Sequence, residues 1–269
     1  MTMPRLLAVL ACICCLILSS CQYQRQCAQA RESKTVVLDI GHYYHPKKGG
    51  RGARTPDNRY GMIEELDFWY RYVIYTKKVI EEAGYTCIIC NRGETPKNKK
   101  LAAAGKKAGV VQLNTPVVTG AYRSRHNPHR IAVGMWSADY ALDQKPACVV
   151  FQHHNSRTNY WMVYNGGLMY CNEVGSDMAF AMAKVMNDDI FDKGMPNNGV
   201  PCGVMIRNNG RLGGGDWLNT CQECCVPAVI TESAFLSNPE HAKFLGKHKN
   251  AIRYAEAVGK GIVNYLNAR

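Results

Sequence analysis

Four residues far apart in the chain have side chains that could hold a metal ion or move a proton. His42 and His153 each end a short apolar stretch, Glu232 closes another, and Glu64 stands at the start of a long amphipathic segment. Two imidazoles and one carboxylate, with a coordination position left open, are typical of a catalytic zinc site. A further carboxylate nearby can serve as general base. Spacing along the chain does not by itself establish that the four residues meet.

The elements that would bring these residues together alternate between strand and helix. Continuous apolar runs at Thr35–Ile40, Ala147–His153 and Pro227–Thr231 predict buried strands. Residues Met62–Ala83 have the apolar spacing of a helix. This alternation predicts an α/β fold, a single domain whose mostly parallel, twisted sheet has helices on both faces. Ligands gather beyond the carboxyl ends of strands in such sheets, which is where the candidate residues fall.

One stretch fits this alternation poorly. Residues 93–120 contain many Lys, Gly, Ala and Thr residues and have no clear hydrophobic period. We therefore expect an inserted loop there. Its composition does not reveal whether the loop covers the site or selects a substrate.

Five segments, taken in order, form a more specific pattern. They are Leu38-Asp-Ile-Gly-His42, Gly61-Met-Ile-Glu64, the arginine-containing helix His129–Asp139, Phe151-Gln-His-His-Asn-Ser156 and Pro227-Ala-Val-Ile-Thr-Glu-Ser-Ala-Phe-Leu-Ser-Asn238. The set resembles the motifs of the zinc-dependent N-acetylmuramoyl-L-alanine amidases, the family of cell-separation and sporulation amidases. The resemblance covers about Thr35 to Leu266. The last segment is long and specific, whereas Gly-x-x-Glu alone is a weak signal.

The resemblance implies an activity and a set of site residues. The implied zinc ligands are His42, Glu64 and His153. Glu232 is implied as the catalytic carboxylate, and the reaction is hydrolysis of the amide bond between N-acetylmuramic acid and L-alanine in bacterial peptidoglycan. Asn155 either orients a ligand or holds a turn. Arg130 either contacts substrate or pairs with an acidic side chain.

Adjacent residues compete for two of the implied ligand positions. Glu65 competes with Glu64 as the carboxylate at the start of the helix. His154 competes with His153, although alternation along a strand points the two imidazoles in opposite directions. The alignment of motifs favours Glu64 and His153.

The first 20 residues have the pattern of a signal peptide. Arg5 precedes 13 apolar residues, Leu6–Leu18, which are too few to cross a hydrocarbon core of about 30 Å as a helix. Leu18-Ser-Ser-Cys21 resembles a bacterial lipobox, which implies cleavage before Cys21 and lipidation of that cysteine. An ordinary secretory signal is the alternative. Residues 21–34 are then a tether and residues 35–269 the catalytic domain, exported and lipid-anchored to a bacterial membrane, with Gln22 favouring the outer membrane and periplasm.

The net charge of the chain indicates which kinds of partner it could bind. The chain of 269 residues has a net charge of +12, which suits an acidic polymer such as peptidoglycan or an anionic lipid surface. Export and the lack of a recognisable nucleic-acid module argue against nucleic acid as a partner.

Of 13 cysteines, nine follow Cys21, an odd number that leaves the disulfide pairing open. Cys87 and Cys90 lie in a predicted strand and should face opposite sides of the sheet.

Three functions remain in competition. The first is the amidase, the second is a zinc peptidase that cuts within the stem peptide, and the third is a wall-binding lipoprotein without catalysis. The full set of ligands and base argues against the third. Whether the enzyme needs a protein activator is left open by the sequence.

Overall fold

The computed structural model describes most of the predicted catalytic domain. The described residues are 24–44, 52–55, 63–113, 125, 135–156, 166–206 and 225–269. The predicted signal peptide, Cys21 and Arg130 lie outside these ranges.

Helices and strands alternate along the described chain, as the sequence predicts. The helices are α1 (residues 24–32), α2 (Glu65–Glu82), α3 (Lys99–Ala108), α4 (Met135–Asp143), α5 (Ser176–Met186), α6 (Pro239–Leu245) and α7 (His248–Asn267). The strands are β1 (Thr35–Tyr44), β2 (Thr86–Gly93), β3 (Val110–Gln112), β4 (Cys148–Gln152), β5 (Leu168–Cys171), β6 (Gly203–Ile206) and β7 (Ala228–Glu232).

These strands form one sheet in the order β3-β2-β1-β4-β7-β5-β6. Every neighbouring pair runs parallel except β5 and β7, which run antiparallel. The predicted α/β class with a mostly parallel sheet is therefore confirmed. Strands β1, β4 and β7 are consecutive and parallel in the middle of the sheet, so their carboxyl ends share one edge.

Both faces of the sheet are covered by helices. On β1, Val36, Leu38 and Ile40 belong to the larger core, which includes residues of α2, α5 and α7. Val37 points the other way, into a smaller core with residues of α1 and α4. Because both faces exclude water, the central strands are apolar at almost every position. Each fully buried aliphatic side chain contributes about 1.5–3 kcal/mol to folding.

Helix α2 begins at Glu65, and one side of the helix packs against the larger core. Its buried residues include Leu66, Trp69, Val73 and Ile80. The helix packs against α7, where the Thr76 hydroxyl donates to the carbonyl of Ala255 at 2.8 Å. This anchoring fixes the start of α2 above the ends of the central strands.

The prediction of an inserted loop at residues 93–120 is wrong for the described part of that stretch. The Asn98 side chain caps α3, and Gly109, with a φ of 75°, ends it. The buried positions of α3 are Leu101, Gly105 and Ala108. Gly105 allows close contact with α2, since a β-carbon there would lie 2.9 Å from the ring of Tyr70. Two of these three buried residues are small, so the segment lacks the spacing of large apolar residues by which a helix is predicted.

The segment predicted as a tether is helical over residues 24–32. Arg269, the last residue, donates to the carbonyls of Ala30 and Ser33 at 3.0 and 2.9 Å. Across the described ranges, none of the helices has both the length and the apolar content needed to cross a membrane.

The described cysteines form no disulfide bond with one another. Cys87 lies in the larger core and Cys90 in the smaller one, so their side chains face opposite sides of the sheet as predicted. Burial raises the pKa of the Cys148 thiol to about 12 and that of Cys202 to about 12 as well. These thiols are therefore packing groups and not nucleophiles.

Candidate metal centre and active site

Two histidines and one glutamate cluster where the central strands end. Nε2 of His42 lies 3.0 Å from Oε2 of Glu65, and Nδ1 of His153 lies 2.9 Å from Oε1 of the same carboxylate. The two imidazole rings meet edge to face, with their centroids 4.8 Å apart. The potential ligand atoms of the three residues all lie within 4.8 Å of one another.

An irregular stretch of β1 presents His42. The register between β1 and β2 shifts between Asp39 and Tyr43, and within this stretch His42 has a φ of 66°. Such a left-handed backbone is uncommon for a residue with a β-carbon. A bulge bends a strand and redirects its side chains, and here the imidazole is directed to Glu65.

Two glycines allow the backbone to pass close to the cluster. A β-carbon on Gly41 would overlap the ring of His153. One on Gly52 would overlap both the His42 ring and the Glu65 carboxylate, and Gly52 also has a φ of 80°. Larger residues at these positions would displace the cluster.

The carboxylate of the cluster belongs to Glu65 and not to the predicted Glu64. Glu65 is the first residue of α2 and is 1% exposed, whereas Glu64 is the N-cap residue with an extended backbone that forms an isolated bridge with Arg54. Successive side chains along an extended backbone point to opposite sides. Only one of the two glutamates can therefore face the histidines, and the structure corrects the sequence-based choice by one position.

Backbone groups hold the Glu65 carboxylate from two sides. The N–H of Ala53 donates to Oε2 at 2.7 Å, and the N–H of His154 donates to Oε1 at 2.8 Å. The N–H of Glu65 in turn donates to the carbonyl of Ala53 at 2.9 Å. Each carboxylate oxygen thus accepts one backbone N–H and faces one imidazole. The positive end of the α2 dipole also favours the charged carboxylate.

Burial and hydrogen bonding set the protonation states of the cluster. Burial raises the pKa of Glu65, but hydrogen bonds and charge from His153 and His42 outweigh it and bring the pKa well below its ordinary value. Burial, together with the nearby charges of His42 and Arg92, lowers the pKa of His153, although Glu65 raises it. Both directions favour the deprotonated side chains, which are the forms that bind a metal ion.

The donor set and its spacing fit a zinc ion. Ligand atoms about 2.1 Å from a tetrahedral zinc lie about 3.4 Å from one another, so the observed histidine–carboxylate distances of 2.9 and 3.0 Å need to open only slightly. The His42 side chain is 29% exposed and that of His153 is 8% exposed. The cluster is therefore open to solvent on the His42 side.

Glu232 ends β7, the strand beside β4. Gln152 pairs with Thr231 in the parallel ladder, and the N–H of His153 donates to the carbonyl of Thr231 at 3.1 Å. The next residues along the two strands are His153 and Glu232, on neighbouring strands about 4.8 Å apart. The register therefore puts the half-buried Glu232 beside a histidine of the cluster.

His154 packs behind the cluster. Its ring stacks on Trp69 with a centroid distance of 5.2 Å, and its Nδ1 lies 3.5 Å from the hydroxyl of Tyr254. Burial lowers the pKa of His154 to about 3, so the ring is neutral near pH 7. Of the two adjacent histidines, His153 lies in the cluster and His154 joins α2 to α7.

Two further candidates have different outcomes. The side-chain oxygen of Asn155 accepts the N–H of Ser156 at 2.9 Å, and the N–H of Asn155 donates to the carbonyl of Ala234 at 2.8 Å. The backbone contact belongs to an isolated parallel bridge between Asn155 and Phe235, which lies just beyond the ends of β4 and β7. Arg130 lies outside the described residues.

Glu65 and Gly52 are site residues that sequence reasoning did not choose. Glu65 precedes Trp69 by four residues, which puts it on the buried side of α2 and was a usable signal. Gly52 belongs to a Gly- and Arg-containing run that is typical of any loop. Nothing in its sequence context indicates contact with the cluster.

A cavity of about 230 Å³ lies away from the cluster. It is lined by Ala30, Leu142, Pro146 and Val226 among others. Pro146 and Val226 precede β4 and β7, so this cavity lies at the amino ends of the strands. Its lining contains no histidine, and it lacks the donor set found at the other edge.

Comparison with known sequences identifies one family. The sequence model of the N-acetylmuramoyl-L-alanine amidase family matches residues 36–264. This range includes all three residues of the cluster and Glu232. A comparison with curated protein sequences found no match.

Several solved structures share the fold of this chain. AmiC2, an N-acetylmuramoyl-L-alanine amidase of Nostoc punctiforme, is 17% identical with a TM-score of 0.53, covering 87% of this chain and 97% of its own. The CwlD amidase of Clostridioides difficile, solved in complex with the GerS lipoprotein, is 17% identical with a TM-score of 0.54, covering 88% of this chain and 100% of its own. Cwp6 from Clostridium difficile is 18% identical with a TM-score of 0.54 over 86% of this chain, which spans only 29% of the length of Cwp6. At such identities the likeness establishes the fold alone.

Proposed function

Since the chain belongs to the N-acetylmuramoyl-L-alanine amidase family, we propose that it hydrolyses the amide bond between N-acetylmuramic acid and L-alanine in peptidoglycan. The observation that carries this proposal is the cluster of His42, Glu65 and His153. These are the ligand types of zinc hydrolases, and they lie at the sheet edge where α/β proteins bind ligands.

The cluster is the proposed zinc site. When bound, zinc supplies Lewis-acid chemistry that makes water a stronger nucleophile near neutral pH and polarises an amide carbonyl. The protein supplies a deprotonated carboxylate, oriented by the N–H groups of Ala53 and His154. Such support of a ligand from behind is typical of zinc sites and contributes to metal affinity.

Glu232 is the proposed general base and acid. Its carboxylate takes a proton from the attacking water and returns it to the nitrogen of the departing L-alanine, so that the amine leaves in neutral form. The ladder between β4 and β7 supports this role because it brings Glu232 alongside His153.

Product analysis of the purified enzyme tests the reaction. Zinc content is measured first, and muropeptides digested by the parent and by Glu232→Gln are then identified by mass spectrometry. We expect one zinc per chain in both proteins and a loss of at least about 100-fold in rate for Glu232→Gln, within the usual range for general acid–base groups. The exposed Glu240 on α6 provides the control Glu240→Gln, which should match the parent.

The products separate the competing functions. Free stem peptides that begin with L-alanine support the amidase. Shortened stems still attached to glycan would indicate a zinc peptidase instead, and zinc binding without turnover would indicate a wall-binding protein. Equal rates for Glu232→Gln and the parent would remove Glu232 from the mechanism.

The predicted signal peptide leads to a proposal about where the enzyme is located. Cleavage before Cys21 and acylation of its thiol would anchor the enzyme to a bacterial membrane, with Gln22 favouring the outer membrane. Fractionation of cells that express Cys21→Ala tests this point. The variant should move from the detergent-extracted membrane fraction to the soluble exported fraction, and retention in the membrane would contradict anchoring through Cys21.

A further inference from the structure

Asn91 is a fully buried side chain on β2 that binds the irregular end of β1. Its Nδ2 group donates to the carbonyl of Ile40 at 2.6 Å and to the carbonyl of His42 at 3.1 Å. Both carbonyls lie within the stretch where β1 loses its register with β2. The side-chain amide therefore satisfies backbone acceptors in the region where the regular ladder is interrupted.

The amide of Asn91 is itself held in place. The Tyr70 hydroxyl lies 2.9 Å from Oδ1 of Asn91 and 2.9 Å from Oε1 of Gln112. The Nε2 group of Gln112 donates to the carbonyl of Gly93 at 2.7 Å. Tyr70 belongs to α2, the helix that begins at Glu65. The network thus connects the strand that presents His42 to the helix that presents the carboxylate.

We propose that Asn91 is a positioning residue that holds His42 in the backbone conformation needed to bind zinc. A φ of 66° is unfavourable for histidine and persists only where surrounding contacts enforce it. Asn91 supplies such contacts on both sides of Gly41, through the carbonyls of Ile40 and His42. The inference rests on the proposed function, since it takes zinc as the ion of the cluster.

Asn172 provides a matched control. It is also fully buried, and its Nδ2 group donates to the carbonyl of Val226 at 2.8 Å while its Oδ1 accepts the N–H of Ala228 at 2.9 Å. It therefore has the same kind of bonds to strand backbone as Asn91. It lies at the amino end of β7, about 13 Å along the strand from Glu232. Its loss should affect folding and leave the cluster intact.

The experiment compares Asn91→Leu with Asn172→Leu in the purified chain. Leucine has a similar volume and adds no charge. Zinc affinity is measured by competition with a chelating dye, and stability is measured by urea unfolding with EDTA present. We expect both variants to unfold more easily than the parent. Only Asn91→Leu should lose zinc affinity, by about tenfold or more, as is usual for residues that support metal ligands.

Tyr70→Phe keeps the test decisive if Asn91→Leu does not fold. It removes only the hydroxyl beside Oδ1 of Asn91, and we expect a smaller loss of zinc affinity in the same direction. Unchanged zinc affinity in the folded Asn91→Leu variant, or an equal loss in Asn172→Leu, would overturn the role of Asn91. If Tyr70→Phe is the only folded variant, its unchanged affinity overturns the proposal. A parent protein that binds no zinc would instead refute the proposed function itself.

Discussion

Replacing Glu65 by glutamine removes the charge of the buried carboxylate and keeps its shape. The two oxygens of Glu65 accept the N–H groups of Ala53 and His154 at 2.7 and 2.8 Å. Glutamine has one oxygen, so its NH₂ group must face one of these donors. A buried N–H left without an acceptor costs about 1–3 kcal/mol. We therefore expect Glu65→Gln to lose about that much free energy of unfolding in the presence of EDTA, measured with urea.

Zinc binding should fall more steeply than stability. Residues that only support metal ligands contribute about 10–100-fold to affinity, so loss of an anionic ligand should exceed about 100-fold. That factor corresponds to about 2.8 kcal/mol of binding free energy. Competition with a chelating dye measures it directly.

Glu64→Gln is the matched control, because it makes the same chemical change one residue earlier. Glu64 is the N-cap residue of α2 and lies outside the cluster, so its variant should bind zinc within about a factor of three of the parent, which corresponds to about 0.7 kcal/mol of binding free energy. Loss of zinc affinity in Glu64→Gln together with normal affinity in Glu65→Gln would refute this reasoning and restore the sequence-based choice.

Three further changes test other parts of the structure. Gly52→Ala should abolish zinc binding in a dye titration, since its β-carbon would overlap His42 and Glu65; normal binding would show that the cluster tolerates the intrusion. Zinc at about a thousand times its dissociation constant should stabilise the parent by about 4 kcal/mol, and identical calorimetric melting with and without EDTA would contradict this. Tyr254→Phe removes the hydroxyl that lies 2.6 Å from Oγ of Ser233. It should lower the free energy of unfolding by about 1 kcal/mol without changing zinc affinity, and a change confined to zinc affinity would argue against a packing role.

The sheet was predictable where burial on two faces leaves a clear trace in the sequence. The apolar runs that became β1, β4 and β7 have few polar positions because helices cover both sides. The order of the strands was not predictable from these runs, since insertion of β7 between β4 and β5 depends on long-range packing. Helix α3 was missed because glycine and alanine form much of its packed surface.

The histidines of the site were easier to predict than its carboxylate. His42 lies near the carboxyl end of β1 and His153 directly follows β4, and in an α/β sheet ligands bind beyond these ends. Glu64 and Glu65 are adjacent at the start of α2. A shift of the helix start by one residue would change which of the two side chains points inward. The choice between the two glutamates depends on the backbone of residues 52–55, because the N–H of Glu65 binds the carbonyl of Ala53. The local sequence around Glu64 and Glu65 does not predict this pairing. The role of Asn91 likewise depends on a shift of register that appears only in three dimensions.

The place of β7 in the sheet has a consequence for biosynthesis. β7 is synthesised after the other six described strands, yet it lies between β4 and the pair β5–β6. Before residues 228–232 exist, β5 and β6 have no partner that joins them to the rest of the sheet, and the cluster lacks the neighbouring Glu232. Pairings between such distant segments form slowly, because closing the loop between them costs entropy before the contacts form. A nascent or prematurely terminated chain that lacks residues 228–232 would thus have no assembled site, and the proposed amidase activity would require the synthesis of β7.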